Sequence, residues 1–161
     1  MQDPNTEQEP SDSDTTSHLE VVEPLQEADG GRKPDYYILV VEDDPTLATL
    51  EADTLTTLGY TVVSVHSGEQ AITSLHSMLP DLVVLDLELT GEIHGWNVLQ
   101  ALRAIATIPV LITSSSVTSA RQYMRERGET RLTLDHLPKP YPVQALLKRI
   151  QRMLPISPTS Y

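Results

Sequence analysis

From about residue 36 onward, short apolar runs alternate with longer stretches that mix apolar and polar residues. The runs are four to six residues long and rich in Val, Ile and Leu, which is typical of strands buried on both faces of a parallel sheet. We predict five strands, at residues 38–41, 62–65, 82–86, 110–113 and 132–137.

The stretches that follow these strands predict five amphipathic helices, because apolar residues recur there at the 3.6-residue spacing of a helix. The first helix follows an Asp44-Pro45 cap and ends at Gly59. The predicted buried residues, helix by helix, are Leu47, Ala48, Leu50, Leu55 and Leu58; Ala71, Ile72, Leu75 and Leu79; Val98, Ala101, Leu102 and Ile105; Val117, Ala120 and Met124; and Val143, Leu146, Leu147, Ile150 and Met153.

Five strand–helix pairs in succession predict an α/β fold, a doubly wound five-stranded parallel sheet flanked by five helices. We take the strand order to be 2-1-3-4-5, which places the first and third strands side by side at the switch point. In such sheets, ligands bind at the carboxyl ends of the strands near that point.

Order is expected over residues 36–154. Residues 1–35 hold four prolines, ten acidic residues and few large apolar side chains. Such a segment buries too little apolar surface to offset the entropy of ordering its backbone. We therefore predict a disordered acidic tail at 1–35, one folded domain at 36–154 and a short C-terminal tail at 155–161.

The formal net charge of −12, to which residues 1–35 contribute −8, argues against direct binding to nucleic acid, because an acidic surface repels a phosphate backbone. The absence of cysteine excludes disulfides and thiolate metal sites. No apolar run approaches the ~20 residues that span a bilayer, and the N-terminus lacks the apolar core of a signal peptide. We expect a cytoplasmic protein that does not contact a membrane.

Polar residues with distinct chemistry follow four of the predicted strands: Glu42 and Asp43 after the first, Asp86 after the third, Ser114 after the fourth and Lys139 after the fifth. Adjacent first and third strands would bring the three carboxylates together, where they repel one another unless a cation intervenes. Oxygen ligands of this kind suit Mg²⁺. With a lysine and a hydroxyl at the same rim, the arrangement predicts a phosphoryl site with Asp86 as the nucleophile.

The segments 38–45, 81–86, 109–114 and 137–141 resemble the response-regulator receiver domain (CheY-like), and the resemblance extends over residues 36–154. It implies that Asp86 accepts a phosphoryl group from a histidine kinase or a histidine phosphotransfer protein. It further implies that Mg²⁺ is bound by Asp43, Asp86 and the backbone carbonyl of Glu88, and by Glu42 through water. Ser114 would turn toward the phosphoryl group, Lys139 would pair with it, and the Lys139–Pro140 bond would be cis.

Several positions depart from the usual pattern of the family. Thr90 replaces a common Pro, the loop between Asp86 and Gly95 is one residue longer, and His136 replaces a switching Tyr or Phe. The longer loop and the 113–115 and 139–141 segments resemble the subgroup that works with HWE-type histidine kinases. In the family this ring turns inward on activation, and the resemblance implies the same for His136. Because burial disfavours a charged imidazole, we hypothesise that activation favours its neutral form.

Two alternatives stay open. The run from Asp86 to Thr90 is similar to that of phosphatases with an aspartate nucleophile, although that motif normally lies on a first strand. The second alternative is a domain that only binds other proteins and is never phosphorylated. Such a domain would not require the full set of site residues. We expect a single-domain response regulator, not an enzyme beyond its own phosphotransfer and dephosphorylation. It would act as a phosphate shuttle, sink or adaptor toward a downstream protein target.

Overall fold

A computed structural model describes residues 35–154 of the chain. The predicted C-terminal tail, and the predicted N-terminal tail except for Asp35, lie outside the described residues. The disorder expected for residues 1–35 therefore stays a prediction.

The described residues form five strands and five helices in strict alternation. The strands are β1 Tyr37–Val41, β2 Thr61–Val65, β3 Leu82–Asp86, β4 Val110–Ser114 and β5 Leu134–Pro138. The helices are α1 Pro45–Thr57, α2 Gly68–Ser77, α3 Gly95–Ile105, α4 Val117–Arg127 and α5 Val143–Met153. All pairings are parallel and the order is β2-β1-β3-β4-β5, which confirms the predicted doubly wound α/β fold.

Two apolar clusters cover the two faces of the sheet, because successive residues of a strand point to opposite sides. Leu39 and Val83 belong to the cluster that includes α2 and α3 residues, whereas Ile38 and Val84 belong to the one that includes α5 residues. β1 and β3 are buried along their full length, but β2 lies at the sheet edge and is only partly covered. The residues that follow the carboxyl ends of β1 and β3 are therefore attached to fully buried strands.

The predicted helix faces are wrong at three positions, because Leu50, Leu79 and Ile105 are nearly half exposed. α2 ends at Ser77, so Leu79 lies beyond the helix, and Ile105 is the last residue of α3. In α1 the buried side chains are Ala48, Glu51 and Leu55, so that an acid replaces the predicted Leu50 on the inner face.

β5 begins two residues later than predicted. Leu132 is 60% exposed, and the backbone N–H groups of Thr133 and Leu134 both donate to the carbonyl of Thr130, at 3.0 and 2.8 Å. This turn precedes β5 and contains residues 132 and 133, which the apolar pattern alone assigns to the strand.

Candidate functional site

The candidate site lies at the carboxyl ends of β1 and β3, which pair side by side with Val41 opposite Leu85. Glu42 and Asp43 directly follow β1, and Asp86 is the last residue of β3. One carboxylate oxygen from each of the three lies within 4.8 Å of the others. The cluster follows from the sheet order, because β1 and β3 are adjacent and parallel and so place residues 42 and 86 on neighbouring ends.

Two of the three carboxylates are almost fully buried, with Glu42 2% and Asp86 1% exposed. Burial and the nearby charge of Asp86 raise the pKa of Glu42 to about 7. Asp43 is more accessible, and its Oδ2 accepts a hydrogen bond of 3.0 Å from the backbone N–H of Thr90. The cluster thus carries excess negative charge, with one acid titrating near neutral pH.

Lys139 supplies the positive charge at this cluster. Its Nζ lies 3.1 Å from Asp86 Oδ2 and 3.5 Å from Glu42 Oε2. Burial acts to lower the pKa of Lys139, but the hydrogen bond and charge of Asp86, with Glu42 and Glu88, outweigh it and raise the pKa. Lys139 lies in the loop that follows β5. In this loop the Lys139–Pro140 bond is cis, and the backbone N–H of Lys139 donates to the carbonyl of Ser114 at 2.9 Å.

The three carboxylates fit a hard divalent cation. All their donor atoms are oxygens, and Mg²⁺ prefers one or two carboxylates together with water and phosphate oxygens. The raised pKa of Glu42 shows that the cluster is electrostatically costly by itself, since burial and the Asp86 charge both disfavour its ionised form. A cation would relieve that cost.

Glu88 lies at the same rim. Its backbone N–H donates to Asp86 Oδ1 at 2.8 Å, and its side chain accepts from the backbone N–H of Ser115 at 2.8 Å. Hydrogen bonding from Ser115 lowers the pKa of Glu88. These bonds join the loop after β3 to the loop after β4, while the role of the Glu88 carbonyl as a metal ligand stays a prediction.

The Ser114 hydroxyl does not point into the carboxylate cluster. Its Oγ lies 3.1 Å from His136 Nε2 and donates to Ser116 O at 3.1 Å, and it accepts from Ser116 N–H at 3.2 Å. His136 is buried, which lowers its pKa. The imidazole already lies inward in this structure, whereas the sequence-based hypothesis expects activation to turn it inward.

Sequence reasoning missed two polar pairs, each of which contains a buried acid. Glu51 on α1 accepts a hydrogen bond from the Tyr141 hydroxyl, just after Lys139 and Pro140. Asp135 on β5 pairs with Arg149 on α5 at 2.8 Å. The spacing of Glu51 from Ala48 and Leu55, three and four residues, places it on the buried stripe of α1 and could have revealed it.

A family model described as the response regulator receiver domain matches residues 38–151. The DNA-binding response regulator MtrA of Mycolicibacterium smegmatis is 35% identical over 118 residues, which cover 73% of this chain and 50% of MtrA. The chain spans about half the length of the curated relatives that it matches. Within residues 35–154, no helix has the length and apolar character needed to cross a membrane.

Solved structures share the fold. Chemotaxis protein CheY4 of Vibrio cholerae has a TM-score of 0.66 at 23% identity, covering 74% of this chain and 99% of its own. The receiver domain of sensor histidine kinase PA1611 from Pseudomonas aeruginosa has a TM-score of 0.62 at 27% identity, covering 74% and 97%, and that structure has a magnesium ion coordinated in its active site cleft. The chain has this CheY-like fold and belongs to the family of receiver domains of two-component response regulators.

Proposed function

We propose that Asp86 accepts a phosphoryl group from a phosphohistidine of a histidine kinase or phosphotransfer protein, in the presence of Mg²⁺. The observation that carries this proposal is the 3.1 Å contact of Lys139 Nζ with Asp86 Oδ2 inside a cluster of three carboxylates. A buried carboxylate with an ammonium at hydrogen-bond distance is a nucleophile held beside a group that can stabilise phosphoryl oxygens.

In the proposed reaction an Asp86 oxygen forms a bond to phosphorus while the bond from phosphorus to the donor imidazole nitrogen breaks. Asp86 is held for this step by Glu88 N–H on Oδ1 and by Lys139 on Oδ2. Lys139 then pairs with the phosphoryl oxygens. Mg²⁺ held by Asp43, Asp86, the Glu88 carbonyl and, through water, Glu42 would neutralise charge that develops on those oxygens.

Ser114 reaches the phosphoryl group only by giving up its present partner. Its hydroxyl donates to Ser116 O at 3.1 Å, so donation to a phosphoryl oxygen requires the hydroxyl to rotate. The movement changes the bond to His136 on β5. We propose that this change alters the surface of α4, β5 and α5, where a downstream protein target binds.

We further propose that the chain acts in the cytoplasm as a phosphate shuttle, sink or adaptor, with no catalysis beyond its own phosphotransfer and dephosphorylation. An HWE-type histidine kinase is the proposed donor, supported by the segments 113–115 and 139–141 and by the longer loop after Asp86. Phosphotransfer from kinases of this type, compared with other types at equal concentration, tests the assignment; equal rates would contradict it.

A small phosphodonor such as acetyl phosphate, with Mg²⁺, tests the modification itself. We expect one phosphoryl group per chain, detected by intact-mass spectrometry, and none on Asp86→Asn, whose amide can still accept the bond from Glu88 N–H. The control is Asp53→Asn, which removes an exposed acid of α1. Labelling of Asp86→Asn equal to that of the unchanged protein would overturn the proposal.

The metal is tested by titration with Mg²⁺, followed by the fluorescence of Trp96, the sole tryptophan of the sequence. Asp43→Ala removes an oxygen ligand and should weaken Mg²⁺ binding about tenfold or more. Identical affinities for this variant and the unchanged protein would show that Asp43 is not a ligand.

A further inference from the structure

Glu51 is an acid in the middle of an apolar helix face. It is 1% exposed, and its neighbours on the inner side of α1 are Ala48 and Leu55. Leu50, the adjacent residue, is 49% exposed. Packing alone would favour the opposite arrangement, with the leucine inside and the acid in water, so this local exception points to a function rather than to core formation.

The two oxygens of the Glu51 carboxyl differ in their hydrogen bonding. Oε1 accepts the hydrogen bond from the Tyr141 hydroxyl, whereas Oε2 is buried without a hydrogen-bond partner among residues 35–154. Burial raises the pKa of Glu51, and burial together with Glu51 raises that of Tyr141. A buried carboxyl with a hydrogen-bond partner on only one of its oxygens reduces stability compared with an apolar pair of similar size. Core packing by itself therefore does not explain an acid at this position.

The pair lies close to the proposed phosphoacceptor site. Tyr141 follows Lys139 by two residues, and the charges of Lys139 and Asp86 both act on Glu51. The Lys139 side chain is 20% exposed, and the loop that carries it also carries Tyr141. Among the described residues, that loop is joined to β4 through Lys139 N–H and to α1 through the Tyr141 hydroxyl, which also makes a hydrogen bond with the Thr113 side chain of β4.

We propose that Glu51 and Tyr141 are positioning residues, whose hydrogen bond fixes the Lys139-Pro140-Tyr141 loop on α1 and thereby holds the Lys139 ammonium against Asp86. This inference rests on the proposed phosphorylation of Asp86. It assigns neither residue a contact with the phosphoryl group; both act through Lys139.

The first test is Tyr141→Phe, which keeps the ring and removes only the hydroxyl. We expect the rate of Asp86 phosphorylation by acetyl phosphate to fall about tenfold, since small displacements of a charged group that stabilises the transition state have large effects on rate. Mg²⁺ affinity should not change, because neither residue is a proposed metal ligand. Asp53→Asn, on the exposed side of the same helix, is the matched control and should keep the full rate.

A second variant separates positioning from stability. Glu51→Leu combined with Tyr141→Phe replaces the polar pair by an apolar one, which should recover the stability that Tyr141→Phe loses. If the pair positions Lys139, the double variant stays slow although it is stable. A double variant as fast as the unchanged protein would overturn the proposal, even if Tyr141→Phe alone fails to fold.

A mutant cycle with Lys139→Ala tests the route of the effect. If Tyr141 acts through Lys139, then Tyr141→Phe should slow phosphorylation no further in the Lys139→Ala background. An equal slowing in both backgrounds would contradict positioning through Lys139. Failure of the proposed function gives a different result, because the unchanged protein would then take up no phosphoryl group on Asp86.

Discussion

At the residue scale, the charges of buried carboxylates in the site are opposed by the ammonium of Lys139. Glu42 and Asp86 lie in the interior, and Lys139 contacts both. A carboxylate in this position is stabilised by the ammonium but opposed by burial and by its neighbour, and for Glu42 the opposing effects are larger. The buried carboxylates of this cluster are therefore expected to reduce the stability of the fold when no cation is present.

This balance predicts how the stability of the metal-free protein depends on pH. The pKa of Glu42 is raised from 4.5 to about 7 in the folded state, so its contribution favours folding at low pH and is lost as pH rises from about 4.5 to 7. Glu42→Gln should therefore raise the free energy of unfolding at pH 8, by at most about 3 kcal/mol, and have less effect at pH 5. Urea unfolding at both pH values measures this; a variant that is less stable at pH 8 would contradict it.

The effect of His136 on stability has the opposite dependence on pH. Burial lowers the pKa of His136 below 6.5, so the folded state disfavours the imidazolium. The free energy of unfolding therefore decreases as pH falls below about 6.5. A hydrogen bond with the Ser114 backbone counters the shift. The Ser114 hydroxyl also lies 3.1 Å from His136 Nε2. If that hydroxyl leaves to bind the phosphoryl group, the imidazolium loses an acceptor, so the pKa of His136 should fall further and mildly acidic pH should oppose activation.

NMR titration of the His136 ring, with and without a stable phosphoryl mimic at Asp86, measures both effects. We expect a pKa below 6.5 in the free protein and a lower one with the mimic. Ser114→Ala is the matched control, in which the mimic should no longer lower the pKa. A pKa that is unchanged or raised by the mimic in the unchanged protein would defeat the hypothesis.

At the element scale, apolar runs located all five strands because the central strands are covered on both faces by helices. The same rule could not place the start of β5, where the Thr130–Thr133 turn takes up the apolar Leu132. Helix faces were harder to predict, since a spacing of 3.6 residues fits Leu50 about as well as Glu51 until the packing of α1 is known. Helix ends were missed for a simpler reason: an apolar residue such as Leu79 can follow a helix without belonging to it.

One interaction at the opposite end of the sheet could not be predicted from any pattern. Arg103 on α3 binds Glu129 at 2.7 Å, and it also donates to the carbonyls of Ile108 and Thr133, at 2.7 and 2.8 Å. These partners precede β4 and β5, so one guanidinium joins α3, the residues after α4 and the starts of two strands. Only the tertiary structure brings them together.

We expect Arg103→Met to lower the free energy of unfolding by about 3 kcal/mol, because Glu129 and two carbonyls lose a largely buried partner. The rate of Asp86 phosphorylation should not change, since the carboxylate site is at the other end of the strands. Arg125→Met, which removes an exposed charge of α4, is the control and should have little effect. Urea unfolding and acetyl phosphate labelling give the two readouts. Full stability of Arg103→Met would contradict a structural role for the network.

At the scale of the whole molecule, the sequence predicted which residues meet but not how each is oriented. Strand order accounts for Glu42, Asp43 and Asp86, because β1 and β3 are adjacent. The direction of the Ser114 hydroxyl depends on His136, a residue whose partner no sequence pattern specifies. The buried pair of Glu51 and Tyr141 joins residues 90 positions apart, which a reading of local periodicity does not connect.

The boundary of the folded domain can be tested by deleting residues 1–34. Asp35 accepts a hydrogen bond from the Thr61 hydroxyl at 3.1 Å, and Tyr36 O accepts from Thr61 N–H at 2.9 Å, so the cut is placed before both. The removed segment has too few apolar residues to add to a core. We expect its loss to change the free energy of unfolding by less than about 0.5 kcal/mol and to leave the phosphorylation rate unchanged.

A slightly longer deletion serves as the control for this boundary. Removing residues 1–36 also takes away Tyr36, which packs against the apolar cluster that includes Ile38 and Leu55. It also removes the carbonyl that pairs with Thr61 at the start of β2. This variant should unfold at a lower urea concentration, because apolar contacts and a strand hydrogen bond are lost together. If deletion of residues 1–34 already abolishes cooperative unfolding, the domain begins nearer the N-terminus than the composition of the chain indicates.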